Sequence, residues 1–476
     1  MRFLDRDRTI APPDYSRWLV PPAALAIHLS IGQAYAFSVF NLPLSRLIGG
    51  ADSALNDWKL STIGWVFSVA IVFLGLSAAT FGRWVERAGP RKAMFASAVC
   101  FSSGFLVSAL GVATHQFVLL LVGYGVLGGI GLGLGYISPV STLIKWFPDR
   151  PGMATGMAIM GFGGGAMIAS PLATSLMSRF QNVAPQGVAP TFVIMGVLYF
   201  AFMMFGAFTV RVPAENWRPV RREPRIGAES AAPRSAADHI GGQQTGAQRR
   251  AENAVIAPPT VTAQQAIKTP QFWLLWVMLC VNVTAGIGVL GQASPMIQEM
   301  FPGVITATAA AGFVGLLSLA NMIGRFFWSS LSDYIGRKAT YATFFLLGAV
   351  LYALVPSAGH ARSVALFVAG YVVVMSMYGG GFATIPAYLR DMFGTLQVGA
   401  IHGRLLTAWS TAGVLGPVLV NYIREYQINH GVAKADAYTV TMYIMAGLLV
   451  IGFVCNLRVR RVDERHSVQP REMVTA

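Results

Sequence analysis

The chain has 476 residues, of which 54% are hydrophobic and only 12% are charged, and its formal net charge is +15. Because a soluble globular protein carries about 25% charged residues, this composition excludes an ordinary soluble domain. The positive charge by itself suggests nucleic acid as a partner, but its distribution along the chain argues against that and no nucleic-acid partner is expected.

Twelve apolar segments are long enough to cross a bilayer, for which a helix needs about 20 residues. They lie at residues 18–40, 60–82, 92–113, 116–140, 153–178, 189–210, 271–297, 304–330, 338–357, 363–388, 399–423 and 437–457. The first follows a polar, arginine-bearing N-terminus without a small-residue cleavage site, so we expect a retained helix rather than a signal peptide. The sequence predicts an all-α polytopic membrane protein with 12 transmembrane helices.

An even number of spans places both termini on one side of the membrane, and most of the 35 lysines and arginines would lie on that side. Such a bias predicts cytoplasmic termini in the cell (inner) membrane. Cys100, Cys280 and Cys455 lie in separate spans and are expected to be buried thiols rather than a disulfide framework.

Two loops repeat one pattern, FGRWVERAGPRK at residues 81–92 and WSSLSDYIGRK at residues 328–338, with Gly89 aligned to Gly336 and Glu86 to Asp333. The same offset aligns further glycines and prolines, namely Gly123 with Gly370, Pro139 with Pro386, Gly152 with Gly399 and Gly156 with Gly403. A repeat of this length indicates a duplicated structural unit. In so apolar a chain, duplicated halves are typical of a secondary transporter.

Between the two sets of six spans, residues 211–270 are rich in Arg, Ala, Pro, Gly and Gln and are too polar to form a core. We expect a disordered cytoplasmic linker there. The predicted organisation is a cytoplasmic N-terminus (1–17), an N-terminal half (18–210), the linker (211–270), a C-terminal half (271–457) and a cytoplasmic tail (458–476). This layout and the repeated loop resemble the major facilitator superfamily, which implies its fold of two pseudo-symmetric six-helix halves.

The repeated loops are candidates for a gate. Glu86 and Asp333 lie among cations, so each acid can pair with them or cap the N-terminus of the next helix, where negative charge is favoured. Resemblance to the superfamily implies a latch that holds one face closed; the alternative is a loop that only enforces topology. The predicted latch residues are Gly82, Glu86, Arg87, Gly89, Arg91, Asp333, Gly336, Arg337 and Lys338.

Arg325 lies inside an apolar span, about 12 Å along the helix from Asp333. A cation at that depth usually faces a polar cavity and has a partner. All 20 acidic residues lie in termini, loops or span ends, so the substrate is a candidate for the missing counter-charge. A guanidinium binds a carboxylate through two parallel hydrogen bonds, and Asn321, one turn earlier, can orient it. The alternative is an arginine that snorkels to the headgroups.

Four segments resemble motifs of the oxalate/formate antiporter family and, more distantly, of monocarboxylate transporters: GQAYAFSVF (32–40), KWFPDRPGMATGMAIMGFGGGA (145–166), NMIGRFFWSSLSDYIGRK (321–338) and HGRLLTAWSTAG (402–413). In those families an eighth-helix arginine ahead of the repeated loop binds the substrate carboxylate, and Arg325 stands at that position. An oxalate carrier uses a second cation, a helix-eleven lysine, where this chain has Trp409. One embedded cation would leave a dianion half-neutralised, so a monocarboxylate such as formate, lactate or pyruvate is predicted.

Weaker candidates complete the site. The resemblance implies that Gln33 and Tyr35 form a polar wall, while Tyr378, Phe382 and Trp409 form either an aromatic box around the anion or ordinary helix packing. His28, about mid-membrane, is a candidate proton site because imidazole titrates near neutral pH, or it simply hydrogen-bonds a neighbouring helix.

The predicted function is therefore a secondary active transporter that moves a small carboxylate by alternating access, as anion exchange or proton symport. We expect no enzyme activity, no metal and no cofactor, and a monomer whose partners are the anion, protons and the lipid bilayer. The alternatives are an oxalate/formate-type dicarboxylate antiporter, a drug or cation exporter, which would be expected to carry a membrane-embedded acid, and a transporter-like nutrient sensor.

Overall fold

A computed structural model describes residues 2–50, 53–183, 185–214, 217 and 260–466. In these ranges the chain forms two sets of six long helices. The N-terminal set is α1 (Arg17–Leu44), α2 (Leu60–Ala88), α3 (Pro90–Ala113), α4 (Phe117–Trp146), α5 (Pro151–Phe180) and α6 (Val188–Thr209). The C-terminal set is α7 (Pro270–Met300), α8 (Ala307–Ile335), α9 (Arg337–His360), α10 (Val364–Phe393), α11 (Val398–Asn429) and α12 (Thr439–Arg458).

Within the described residues, 11 of these helices are long and apolar enough to cross a membrane. The remaining helix, α8, has 29 residues and is therefore also long enough. α8 carries Asn321, Arg325 and Ser329, and all three side chains are buried in the protein. The predicted all-α fold with twelve spans is confirmed, and α8 carries the candidate site.

Both ends of the described chain lie on one face, which we call the terminal face. The amide of Ala11 donates to the carbonyl of Val212, just beyond α6, at 2.9 Å. At the other end, the Lys338 ammonium donates to the carbonyl of Val459, just beyond α12, at 3.1 Å. The loops after α2, α4, α8 and α10 reach this same face.

The repeated loops fasten each half in the same way. Arg91, at the start of α3, donates to the carbonyl of Phe208 at the end of α6 at 3.2 Å. At the aligned position Lys338, at the start of α9, donates to the carbonyl of Leu457 at the end of α12 at 2.9 Å. A cation is favourable at a helix C-terminus, where carbonyl groups lack partners. These two predicted latch cations therefore tie the third helix to the sixth within their own halves.

The turns that precede these cations require glycine. Gly89 and Gly336 both have φ of +87°, with ψ of 164° and 151°. This backbone region is essentially restricted to glycine, because a side chain collides with the backbone there. The two halves thus use one strained turn each to reverse the chain between their second and third helices.

Most of the predicted linker, residues 218–259, lies outside the described residues. Its two described ends lie against the terminal face. The Trp146 indole donates to the carbonyl of Arg211 at 2.8 Å, and the amide of Val261 donates to the carbonyl of Phe393 at 3.0 Å. Each end of the linker is therefore held by the half to which it is connected, and the domain boundaries remain a prediction.

We expect Gly336→Ala to destabilise the protein by about 1–3 kcal/mol, the usual cost of a non-glycine residue in this backbone region. A methyl group at Gly336 meets no atom within 4 Å, so the cost is conformational strain alone. Gly447→Ala is the matched control, because it also meets open space but lies in the helical conformation. Thermal unfolding in detergent should show a lower melting temperature for Gly336→Ala only; equal effects would contradict the assignment of strain.

Candidate functional site

Arg325 lies in α8 at the interface of the two halves and is fully buried, with 0% of its surface exposed. Its Nε donates to Asn321 Oδ1 at 2.9 Å, and its Nη1 donates to the carbonyl of Ile159 in α5 at 3.4 Å. Both acceptors are neutral, and Nη2 has no hydrogen-bond partner in the described part of the chain. A buried guanidinium without an anionic partner is costly, which favours a functional role over simple packing.

Aromatic rings surround the guanidinium. Its central carbon lies 5.6 Å from the ring centre of Phe162 and 5.4 Å from that of Phe382, within cation–π range. The Trp409 ring is 4.5 Å from Phe382 and 5.4 Å from Phe162, and Tyr136 lies 5.3 Å from Trp409. We call the whole group the aromatic cage; its members are Tyr35, Tyr136, Phe162, Tyr378, Phe382 and Trp409.

The cage is built by both halves, and it closes over Arg325 on the side away from the terminal face. The hydroxyl groups of Tyr35 in α1 and Tyr378 in α10 are 3.3 Å apart. Tyr378 lies 15 residues before the end of α10, about 22 Å from the terminal face, whereas Arg325 lies about 15 Å from it. The halves are therefore joined beyond the cation by this contact between neutral hydroxyl groups, and also by the Ser410 hydroxyl of α11, which donates to the carbonyl of Ile71 in α2 at 2.9 Å.

Four donors in and beside the cage have no acceptor among the described residues: Arg325 Nη2, Asn321 Nδ2, Trp409 Nε1 and the Tyr136 hydroxyl. Asn321 is held by its other amide atom, since its oxygen accepts from Arg325. An ionised carboxylate offers acceptors only, so it matches a set of donors of this kind. The arrangement suits a small anion with an apolar remainder that fits against aromatic rings.

The structure brings most of the predicted site residues together. Tyr35, Tyr378, Phe382 and Trp409 join Arg325 and Asn321 in one cluster. Gln33 lies elsewhere: its side-chain oxygen accepts from the Tyr124 hydroxyl at 3.0 Å, inside the N-terminal half.

Sequence reasoning missed Tyr136 and Phe162. Phe162 had a visible signal, because the repeat aligns it with Trp409 and the two rings pack together at 5.4 Å. Tyr136 had none, because it lies within the glycine-rich run of α4, where spacing alone does not distinguish a packing residue from a site residue.

On the terminal face, Glu86 at the end of α2 bonds the other half. Its Oε1 accepts the backbone amide of Gly399 in the first turn of α11 at 2.9 Å, and its Oε2 accepts from Lys145 in α4 at 2.6 Å. Only 9% of the Glu86 side chain is exposed. A carboxylate is favoured at a helix N-terminus because it satisfies free amide groups and the helix dipole.

Asp333 at the end of α8 makes the equivalent contact in the opposite direction. Its two oxygens accept the amides of Gly152 and Met153 in the first turn of α5, each at 2.8 Å, and Arg337 donates to it at 2.6 Å. The aligned acids thus bond the aligned glycines, each across the interface. We call these two contacts the reciprocal caps.

The sequence offered the next helix of the same half as the capped element, and the structure differs. Gly82 lies one turn before Glu86 on the same helix face, and a Cβ there would approach the Cα of Ala400 in α11 to 2.7 Å. Ser329, one turn before Asp333, likewise contacts Gly156 of α5. The acids lie on the faces that pack against the other half, so they reach its helices instead. Arg87 is exposed at the end of α2.

The loop between α4 and α5 is held from both sides. Arg17 donates to both oxygens of Asp149 at 2.6 and 3.1 Å, and Arg390 of the other half donates to the carbonyl of Pro148 at 3.1 Å. Partial burial raises the pKa of the Asp149 carboxyl, but the hydrogen bonds and charge of Arg17 outweigh it and lower the pKa overall. The ion pair therefore persists above the ordinary carboxyl range and is lost as pH falls below it.

A family model described as Major Facilitator Superfamily matches residues 16–417 and 300–475. The chain belongs to the major facilitator superfamily. The predicted fold family is confirmed.

Relatives of known name share about a quarter of their residues with this superfamily member. The oxalate:formate antiporter of Oxalobacter formigenes is 25% identical over 84% of this chain and 83% of its own length. Apicoplast pyruvate carrier 1 of Toxoplasma gondii is 25% identical over 74% of this chain and 68% of its own length. Monocarboxylate transporter 11 of Homo sapiens is 23% identical over 87% and 78%. The resemblance to these transporter families is thus confirmed.

Solved structures of the superfamily share the fold. FucP in the outward conformation superposes with a TM-score of 0.61 at 13% identity, covering 93% of this chain and 99% of FucP. A bacterial homologue of the iron transporter ferroportin in an outward-facing state gives a TM-score of 0.63 at 13% identity, covering 92% and 98%. At this identity the likeness concerns the fold alone.

We expect the variants Glu86→Gln and Asp333→Asn of this superfamily member to open the terminal face more often. Hydrogen bonds to charged groups are worth about 1.5–3 kcal/mol, so losing one charge should shift the conformational equilibrium about tenfold or more. Ser141→Cys is the reporter, since Ser141 is buried opposite Gly399. Its maleimide labelling, with the three native cysteines replaced by serine, should accelerate, and the transport rate should change at normal expression.

Glu425→Gln is the control for this experiment, because Glu425 is an exposed acid near the far end of α11. It should leave labelling of Ser141→Cys unchanged. Unaltered labelling and transport in both latch variants would show that the reciprocal caps do not control the terminal face.

Proposed function

We propose that this protein is a secondary active transporter that carries a small monocarboxylate across the cell membrane by alternating access, exchanging it for another anion or moving it with a proton. The observation that carries the proposal is the state of Arg325: fully buried, hydrogen-bonded only to neutral groups, and left with an unused donor inside the aromatic cage. The carboxylate of the substrate supplies the missing charge.

The charge count of the site favours one carboxylate over two. Arg404, the other arginine within an apolar span, is turned toward the terminal face and donates to the carbonyl of Ala263. Trp409 contributes a neutral N–H donor to the cage rather than a second cation. A dianion would bring an uncompensated charge into a buried site, at a cost of several kcal/mol. The substrates that this balance favours are formate, lactate and pyruvate.

The relatives support the same class of substrate. The three named above are called an oxalate:formate antiporter, a pyruvate carrier and a monocarboxylate transporter, so each name refers to a carboxylate. A drug or cation exporter is disfavoured because the contacts of Arg325 and its cage include no carboxylate among the described residues. A dicarboxylate antiporter remains the alternative that the charge argument opposes.

The transport cycle follows from unequal closure of the two sides. We assign the terminal face to the cytoplasm, because most lysines and arginines of the chain lie at that side of the predicted spans. That face is closed by the charged reciprocal caps and by close packing of Gly82 on Ala400. On the other side the hydrogen bonds between the halves involve neutral groups, namely the hydroxyls of Tyr35 and Tyr378 and the bond from Ser410 to the carbonyl of Ile71. The anion enters past the tyrosines, neutralises Arg325, and leaves when the caps separate.

We expect Arg325→Ala to lose at least about 100-fold of the rate in a counterflow assay with labelled formate, lactate, pyruvate and oxalate in proteoliposomes. Removing one partner of a buried ion pair costs about 3–5 kcal/mol, because the other charge is left buried and unpaired. Arg325→Lys keeps the charge but loses the planar fork, so we expect a smaller loss of about tenfold. Arg404→Ala, whose side chain lies outside the cage, is the control and should remain active. Full activity of Arg325→Ala would refute the assignment, and no flux of any carboxylate by wild type would favour a nutrient sensor.

We expect Trp409→Lys to shift the preference toward oxalate, because it adds a second cation beside Arg325. The ratio of oxalate to lactate counterflow should rise about tenfold, equivalent to about 1.4 kcal/mol of differential binding. Trp409→Phe removes the N–H donor without adding charge and should not change this ratio. Preferred oxalate exchange by wild type would contradict the monocarboxylate assignment.

A further inference from the structure

Two histidines at the interface of the halves are buried without hydrogen bonds. His28 in α1 is 0% exposed and His402 in α11 is 1% exposed. Neither ring nitrogen of either residue has a hydrogen-bond partner meeting normal geometry in the described part of the chain. Unpaired polar groups in a protein interior cost about 1–3 kcal/mol each, so two such imidazoles near one site require an explanation.

The two rings are connected through the cage. Tyr136 packs edge-on against His28 with ring centres 5.3 Å apart, and against His402 at 5.8 Å. His28 and Tyr136 belong to the N-terminal half, whereas His402 belongs to the C-terminal half. The three rings of His28, Tyr136 and His402 therefore cross the interface of the two halves, which must open during transport.

The surroundings of His28 act on the charge of its ring in opposite directions. The backbone carbonyls of Tyr136 and Ala158 face the imidazole. Carbonyls only accept hydrogen bonds, and an imidazolium offers two donors where a neutral ring offers one. Burial opposes a charged ring most strongly, followed by the positive charge of Arg325 and, more weakly, by His402. A second positive charge beside an uncompensated guanidinium is strongly unfavourable.

The other titratable groups around the pair do not supply a negative charge in the described structure. Tyr35, Tyr136 and Tyr378 are neutral phenols at physiological pH. Toward the terminal face, Glu86 is one turn beyond His402, but its charge is already paired with Lys145 and with the amide of Gly399. Burial keeps both imidazoles neutral in this state, and the influence on His28 that a bound anion can remove is the charge of Arg325.

We propose that His28 is the proton site of this transporter, that a carboxylate bound at Arg325 triggers its protonation, and that His402 receives the proton on its way to the terminal face. The inference rests on the proposed function, because the substrate carboxylate provides the trigger. Once that carboxylate cancels the charge of Arg325, a proton from water binds a ring nitrogen of His28. The loaded site then carries the same net charge as the empty site, so the halves move the same charge in both directions.

His402 is placed to pass the proton on. It lies four residues after the start of α11, about 6 Å from the terminal face, whereas His28 lies about 17 Å into α1. One turn of helix separates it from Gly399, where Glu86 bonds the α11 amide. Opening of the reciprocal caps therefore exposes His402 first, and its proton leaves to water.

Wild-type protein provides the first test. Lactate or pyruvate, whichever supports counterflow, is added to purified transporter in weakly buffered detergent solution near pH 7 with a pH-indicating dye. Uptake of about one proton per protein is expected, since binding at one site changes proton affinity at the other. Arg325→Ala should show none. Binding without proton uptake by wild type would overturn the proposal while leaving carboxylate transport intact.

Variants provide the second test, in proteoliposomes under a pH gradient of one unit. Wild type should accumulate the substrate about tenfold, the limit for one proton per anion. His28→Gln should lose proton uptake on binding, and its accumulation ratio, measured against its own counterflow rate, should fall to about 1. His402→Gln should retain proton uptake on binding but lose accumulation.

His430→Gln is the matched control, because His430 is exposed at the end of α11, and it should behave as wild type in both assays. Gradient-driven accumulation by His28→Gln, or by His402→Gln, would refute the role assigned to that residue. Absence of counterflow in wild type would instead refute the proposed function. Failure of the proton inference is therefore distinguishable from failure of the proposed function.

Discussion

The uncompensated positive charge of Arg325 is the constraint on which the account of this protein depends. The guanidinium is 0% exposed and is hydrogen-bonded to Asn321 and to the carbonyl of Ile159, which are both neutral. Its unbalanced charge destabilises the interface of the two halves. Aromatic rings offset part of this cost through cation–π contacts, which are worth about 2 kcal/mol when desolvated. The remainder requires an anion. Because the substrate supplies this anion, substrate binding changes the stability of the closed form.

Duplication explains the scaffold, and departure from duplication explains the chemistry. Glu86 and Asp333 are aligned in the repeat, and their bonds to Gly399 and Gly152 are equivalent in geometry and opposite in direction. Such pairing gives one face two charged caps that must break together. Arg325 has no charged counterpart in the N-terminal half, since the repeat aligns it with an alanine. The binding site is therefore asymmetric, although the two halves around it are related by the repeat. One anion bound at Arg325 can thus act on both halves.

Much of the fold could be predicted from the sequence, because bilayer crossing imposes long apolar segments and the repeated loops mark equivalent positions. The latch acids were visible for the same reason, but their partners were not, since the face on which Glu86 lies depends on how Gly82 packs against the other half. Arg325 was visible as a charge in an apolar span. Gln33 shows the limit of residue type as a guide: it is polar and at the predicted depth, yet it bonds Tyr124 inside its own half.

The most direct test of the central claim compares two ligands that differ only in charge. Lactate and its neutral amide have nearly the same shape, and a ligand that binds the folded state raises its melting temperature more when it binds more tightly. The account predicts that lactate stabilises wild type but not Arg325→Ala, and that the amide stabilises neither. Equal stabilisation of wild type by lactate and by the amide would contradict the claim that Arg325 recognises a carboxylate.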